Sequence, residues 1–126
     1  MTKRRVLIVD DASLVRMYYR TALRRIGCDI DEALNGLEAL EKLLIQPVDL
    51  LIIDINMPKM DGLTFLRTLR RRELPLSATP ALVISTEAAP GDVKAARMAG
   101  ANFYLVKPVA QDRLSHYVTM LCGDPA

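Results

Sequence analysis

The chain has 126 residues, 51% of them hydrophobic and 25% charged, which suits one buried core rather than two domains. Seventeen basic residues against fifteen acidic ones leave a net charge of +2, which gives no electrostatic case for direct nucleic-acid binding. No apolar run approaches the roughly 18 residues of a membrane span, and residues 1–5 pass too quickly into strand-like sequence to be a secretory signal, so no membrane association and a cytoplasmic location are expected.

The first apolar run, Val6-Leu7-Ile8-Val9, stops at Asp10-Asp11. Val15, Tyr19, Ala22, Leu23 and Ile26 then recur at helical spacing, with Gly27 as the stop. Cys28-Asp29-Ile30-Asp31 alternates apolar and acidic residues and predicts an exposed edge strand. Leu37, Leu40, Leu43 and Leu44 mark a second helix, closed before Pro47. Leu50-Leu51-Ile52-Ile53 is the next continuous run, and Asp54 ends it. Asp61-Gly62 opens a third helix carrying Leu63, Leu66, Leu69 and Arg70. Ala81-Leu82-Val83-Ile84 ends at Ser85, and Pro90 and Gly100 bound a fourth helix. Phe103-Tyr104-Leu105-Val106 leads into Lys107-Pro108, and a last helix runs from about Asp112 to Leu121.

Short runs that are apolar throughout belong to strands covered on both faces, as in a parallel sheet between helices. Strands alternating with helices give βαβ units with right-handed crossovers. The expected fold class is therefore α/β: a three-layer, flavodoxin-like, doubly wound sheet of five parallel strands in the order 2-1-3-4-5, with five helices. Neither a repeat nor a linker interrupts it, so residues 1–126 read as a single domain.

The polar residues that end the strands carry the chemistry. Asp10, Asp11, Asp54, Ser85 and Lys107 all fall at carboxyl ends of parallel strands, the edge where such sheets bind ligands. The order 2-1-3-4-5 makes strands 1 and 3 neighbours at the switch point, so Asp10, Asp11 and Asp54 meet in one crevice. Three carboxylates held together repel, and a hard divalent cation relieves this; Mg²⁺ takes one or two carboxylates and keeps positions for phosphate oxygens. Lys107 opposite and the Ser85 hydroxyl suit an anion beside the metal, the set that phosphoryl transfer requires. Each residue alone has a plainer reading: Asp10 and Asp11 as helix caps, Asp54 as a turn residue before Pro58, Lys107 as an exposed loop residue. Independent caps would not all fall on one sheet edge, which favours a site.

From Val6 to Leu121 the sequence resembles a response-regulator receiver domain (a CheY-like fold) of two-component signalling. The resemblance rests on Asp10-Asp11, on Asp54-Ile55-Asn56-Met57-Pro58 with Met60-Asp61-Gly62, on Ser85, and on Lys107-Pro108. It implies that Asp54 is the phosphoacceptor, fed by a histidine kinase or histidine phosphotransfer protein. Asp11, Asp54 and the Asn56 backbone carbonyl would ligate Mg²⁺, and Asp10 would act largely through water. Ser85 and Lys107 would contact the phosphoryl oxygens, and Lys107-Pro108 would be cis. At its variable positions the chain is similar to the stand-alone chemotaxis receivers. Asn56 lies two residues after the acceptor, Glu87 two after Ser85, and Tyr104 three before Lys107. Glu87 and Tyr104 are then the modulating and switch residues. Departures are Ser at position 85, Ala12, the Ala88-Ala89-Pro90-Gly91 stretch and the basic charge; they bear on the partner, not the chemistry.

The expected function is a phosphorylation switch that promotes only its own phosphorylation and dephosphorylation and alters a surface for an output partner. That surface lies on helix 4, strand 5 and helix 5, with Lys94, Arg97, Met98 and Arg113, and it also suits a homodimer formed on activation. Two alternatives differ in kind. One is a receiver excised from a larger regulator or hybrid kinase, for which Gly123-Asp124-Pro125-Ala126 would begin a linker. The other is an aspartate-nucleophile phosphatase, which would place Asp-x-Asp after strand 1, where this chain has Asp10-Asp11-Ala12. Among the remaining features, Cys28 and Cys122 read as reduced thiols and the six methionines as core filler. Leu14 and Tyr18 read as core edge beside a possible phosphotransfer docking face, Arg70-Arg71-Arg72 and Lys3-Arg4-Arg5 as solvated charges, and His116 as a surface residue.

Overall fold

The computed structural model describes residues 3–122; the tail 123–126 and its possible linker role lie outside them. The chain alternates β1 (Arg5–Val9), α1 (Ser13–Arg25), β2 (Asp29–Ala33), α2 (Gly36–Ile45), β3 (Leu50–Ile53), α3 (Gly62–Arg70), β4 (Ala81–Ser85), α4 (Pro90–Ala99), β5 (Phe103–Val106) and α5 (Gln111–Cys122), with one 3-10 turn at Leu76–Ala78. The five strands are parallel in the order β2-β1-β3-β4-β5, as expected.

Strand side chains alternate faces, and the apolar runs divide accordingly. Leu7, Val9, Leu51, Ile53, Ala81 and Val83 pack against α2, α3 and α4 through Leu40, Leu43, Phe65, Leu66, Leu69 and Ala96. Val6, Ile8, Leu50, Ile52, Leu82 and Ile84 pack against α1 and α5 through Tyr19, Leu23, Leu114 and Val118. Burial on both faces is why these strands contain no polar residue until their carboxyl ends.

Local chemistry sets the helix limits. Asn35 and Asp61 cap α2 and α3 by accepting the N–H groups of Glu38 and Thr64. Pro90 opens α4, and Gly100, at φ 115°, closes it in the left-handed region. No helix among the described residues is long and apolar enough to cross a membrane.

Several expectations are corrected. The edge strand starts at Asp29 and runs to Ala33, because its register against β1 pairs Val9 with Ala33. β5 is the other edge, and Phe103 and Val106 are exposed there rather than covered on both faces. On α2, Gly36 and Ala39 are buried with Leu40 and Leu43 while Leu37 and Leu44 are exposed; a Cβ on Gly36 would stand 2.8 Å from Met60 Cγ in the loop after β3. Among the described residues, Met17, Met98 and Met120 are exposed, and only Met57 and Met60 pack against the core, in the loop 54–61. Leu14 is 73% exposed and so stands clear of the core, whereas Tyr18 anchors its hydroxyl on the Val109 carbonyl at 2.9 Å.

Arg70 is the largest revision. It is not a solvated helix end: its guanidinium donates to the carbonyls of Gly100 (2.7 Å), Ser77 (3.0 Å) and Thr79 (2.6 Å) and to the Asn102 side chain. One planar fork thus joins α3, the 3-10 turn and the end of α4. Arg5 is not free either, since it pairs with Asp29 at 2.8 Å. His116 is exposed, and Cys28 and Cys122 are free thiols.

Candidate functional site

Register decides which polar residues meet. Val9 pairs with Ile53, so the next residue on each strand, Asp10 and Asp54, emerges at the same level of the sheet edge. The Asp54 N–H donates to the Val9 carbonyl at 2.9 Å and the Asp10 N–H to Ala33 at 3.1 Å, which fixes both backbones. Carboxylate oxygens of Asp10, Asp11 and Asp54 lie within 4.8 Å of one another. Asp10 is buried, Asp54 half-buried and Asp11 exposed.

Lys107 bridges the deeper two. Its Nζ is 3.3 Å from Asp10 Oδ2 and 3.5 Å from Asp54 Oδ1. The lysine reaches this point because its own N–H donates to the Ser85 carbonyl at 2.8 Å, extending the β4–β5 pairing by one residue. Lys107-Pro108 is cis. The exposed-loop reading of Lys107 and the capping readings of the acids are thereby replaced. The residue at the α1 N-cap is Ala12, with no side-chain cap bond. Asp10 Oδ1 instead accepts the Ala12 N–H at 2.9 Å, and Asp54 turns toward Lys107.

The electrostatics follow. Burial pushes the Asp54 carboxyl above its usual range; Asp10 and Asp11 add to this, and Lys107 opposes it. The buried Tyr19 hydroxyl beneath the cluster is pushed up as well, by burial first and then by Asp10 and Asp54. A single lysine against three carboxylates leaves the crevice net negative, and the ligand atoms are all hard oxygens. That donor set fits a small divalent cation.

The loop after β3 is shaped by close packing. A Cβ on Gly62 would stand 2.2 Å from the Asp54 carbonyl oxygen, so only glycine lets the start of α3 lie against the Asp54 backbone. The Gly62 N–H donates to Ile55 at 2.9 Å, closing the loop that carries the exposed Asn56.

On the far side of Lys107, Ser85 is fully buried, and its Oγ accepts the Glu87 N–H at 3.1 Å. The Glu87 carbonyl in turn accepts the Tyr104 hydroxyl at 2.6 Å. Glu87 is therefore a backbone link between the serine and the aromatic ring, a role sequence spacing alone does not disclose. Arg16 was also missed: its Nη1 donates to the Asp10 carbonyl at 2.7 Å and its Nε pairs with Glu32 at 3.0 Å. The only sequence signal was its place on α1 next to the apolar stripe at Val15 and Tyr19.

Comparison with known proteins agrees with this geometry. Residues 6–119 match the response regulator receiver domain family. The chain is 35% identical over 116 residues to the sensor protein EvgS of Escherichia coli (strain K12), covering 92% of this chain but only 9% of that protein. It is 28% identical over 110 residues to protein PilG of Pseudomonas aeruginosa, covering 87% of this chain and 81% of PilG. The solved chemotaxis response regulator CheY4 of Vibrio cholerae shares 32% of residues at a TM-score of 0.88, covering 95% of this chain and 99% of that one. With the sheet order, the acidic switch-point crevice and the family match in agreement, this chain belongs to the response regulator receiver domain family of two-component signalling.

Proposed function

We propose that Asp54 accepts a phosphoryl group from a phosphohistidine of a histidine kinase or phosphotransfer protein, and that the resulting charge resets a partner surface. The observation that carries this is Lys107 Nζ within 3.5 Å of both Asp10 and Asp54 in a crevice of three clustered carboxylates. An Asp54 oxygen attacks phosphorus in line; the P–O bond forms as the P–N bond breaks, and the imidazole leaves with the electron pair. Asp11, Asp54 and the Asn56 carbonyl would hold Mg²⁺, with Asp10 acting through water. When bound, the ion offsets the carboxylate repulsion and the charge on the equatorial oxygens. Lys107 supplies a further cation to those oxygens, and the Ser85 hydroxyl, whose oxygen already accepts from Glu87, keeps its proton to donate.

The switch follows from the Ser85–Glu87–Tyr104 link. Drawing Ser85 toward a phosphoryl oxygen breaks its bond from the Glu87 N–H and so lets the Glu87 backbone, whose carbonyl holds the Tyr104 hydroxyl, shift. The ring packs on the α4 side of the sheet, beside a surface where Lys94, Arg97 and Met98 of α4 and Arg113 of α5 give a mixed basic and apolar face for an acidic, amphipathic output segment. The chain acts on no external substrate, works in the cytoplasm, and folds over its described residues as one domain. A similar segment also occurs within the much longer sensor protein EvgS, which is compatible with the excised-receiver alternative without favouring it over the stand-alone reading.

Incubation with acetyl phosphate and Mg²⁺ is expected to add one acid-stable, base-labile phosphoryl group to the wild type and none to Asp54→Asn. Equal labelling of the two proteins would refute the assignment.

A further inference from the structure

We infer that Arg16 is a positioning residue for the acidic crevice, fixing the Asp10–Asp11 peptide and with it the direction of the Asp11 carboxylate. The inference rests on the cation reading above and concerns only what this chain's own residues do toward that cation.

Asp10 is held on every side. Its Oδ1 accepts the Ala12 N–H at 2.9 Å, its Oδ2 faces Lys107 at 3.3 Å, and its carbonyl accepts Arg16 Nη1 at 2.7 Å. Asp11 is different: it is exposed, and among the described residues its side chain enters no hydrogen bond or ion pair. What aims Asp11 is therefore the peptide that precedes it, and the side chain gripping that peptide's carbonyl is Arg16.

Arg16 is itself fixed. Its side chain is 12% exposed, and its Nε lies 3.0 Å from Glu32 Oε1. The other Glu32 oxygen is taken by Arg20 at 2.5 Å. Both carboxylate oxygens of Glu32 are thus engaged by arginines, so one edge of the planar Arg16 guanidinium is anchored on β2 while another reaches the Asp10 carbonyl just past the end of β1. A planar fork can serve two acceptors at a fixed angle, which a lysine ammonium cannot. Groups that orient a ligand without touching the metal change affinity by roughly 10–100-fold.

The geometry also predicts which ion suffers. Mg²⁺ demands near-ideal octahedral ligands, whereas Ca²⁺ accepts more ligands at looser angles. Misdirecting one carboxylate should cost Mg²⁺ affinity more than Ca²⁺ affinity, and a merely destabilising change would leave that ratio alone.

The test is calorimetric binding of Mg²⁺ and, separately, of Ca²⁺ to the wild-type chain, Arg16→Lys and Arg20→Lys, with melting recorded in EDTA. Arg16→Lys is expected to lose about tenfold in Mg²⁺ affinity with a smaller loss for Ca²⁺. Arg20→Lys, which touches Glu32 but not β1, should stay within about twofold of wild type. The inference is overturned if Arg16→Lys keeps wild-type Mg²⁺ affinity, if it loses both ions equally, or if Arg20→Lys matches its loss. Should Arg16→Lys not fold, Glu32→Ala removes the anchor while keeping the guanidinium, and an unchanged Mg²⁺ to Ca²⁺ ratio there overturns it. A wild type that binds no Mg²⁺ overturns the cation reading and this inference with it; a wild type that binds beside unaffected variants overturns this inference alone.

Discussion

Replacing Asp54 by asparagine should stabilise the metal-free protein, and the size of the effect can be worked from the crevice. At an effective dielectric near 20, two like charges at the 4.8 Å limit of the cluster repel by about 3.5 kcal/mol, and Lys107 at 3.5 Å attracts by about 5 kcal/mol. Two repulsions, from Asp10 and Asp11, therefore exceed the one attraction by about 2 kcal/mol. The share from Asp11 is reduced because that residue faces solvent, while burial of the Asp54 charge adds to the cost. Asparagine has the same shape, and its amide oxygen still accepts from Lys107. A gain of about 1–2 kcal/mol, or roughly 3–8 °C in melting midpoint, is expected in EDTA near neutral pH. The pH dependence has a definite sign. The folded-state pKa of Asp54 is raised, so the native state holds its proton to higher pH than the unfolded chain does. The penalty is absent at low pH and appears as pH rises through the folded value. The advantage of Asp54→Asn should accordingly shrink on acidification, and Mg²⁺ should reverse it by binding the wild type. A midpoint lower than wild type in EDTA at neutral pH would show that the carboxylate is structurally satisfied and would refute the reasoning.

Gly62→Ala would push a methyl group onto the Asp54 carbonyl, 2.2 Å away, and should cost about 2–3 kcal/mol in denaturant unfolding while slowing acetyl phosphate labelling. Retained stability and rate would show that the loop yields freely. Arg70→Met would strip a charged donor from the carbonyls of Gly100, Ser77 and Thr79 and should cost about 3 kcal/mol by urea denaturation without altering Mg²⁺ affinity. Beryllofluoride should perturb the NMR signals of Tyr104 and α4 while sedimentation remains that of a monomer. A shift to dimer would favour the homodimer output, and unperturbed signals would count against both versions of the switch.

How far the sequence reaches is clearest at particular residues. The strand runs, the helix stops at Gly27 and Gly100, and the cap at Asp61 were legible because each depends on neighbours within a few positions. The acids, the serine and the lysine were legible for a second reason: a strand buried on both faces admits polar residues only where it leaves the sheet, so Asp10, Asp54, Ser85 and Lys107 announce the functional edge by ending apolar runs. Arg70 and Arg16 resisted this logic. A guanidinium on a helix surface looks alike in sequence whether it meets water or a carbonyl 30 residues away, as Arg70 does at Gly100. The Glu87 link was hidden because it runs through backbone atoms, which carry no residue identity. The sequence by itself determined the elements, their order and which residues would meet at the switch point, all properties of local pattern and topology. Only the tertiary structure decided the register that brings Asp10 level with Asp54, the reach of Lys107 to both, and the arginine contacts that aim or brace the loops, because these depend on distances between segments remote in the chain.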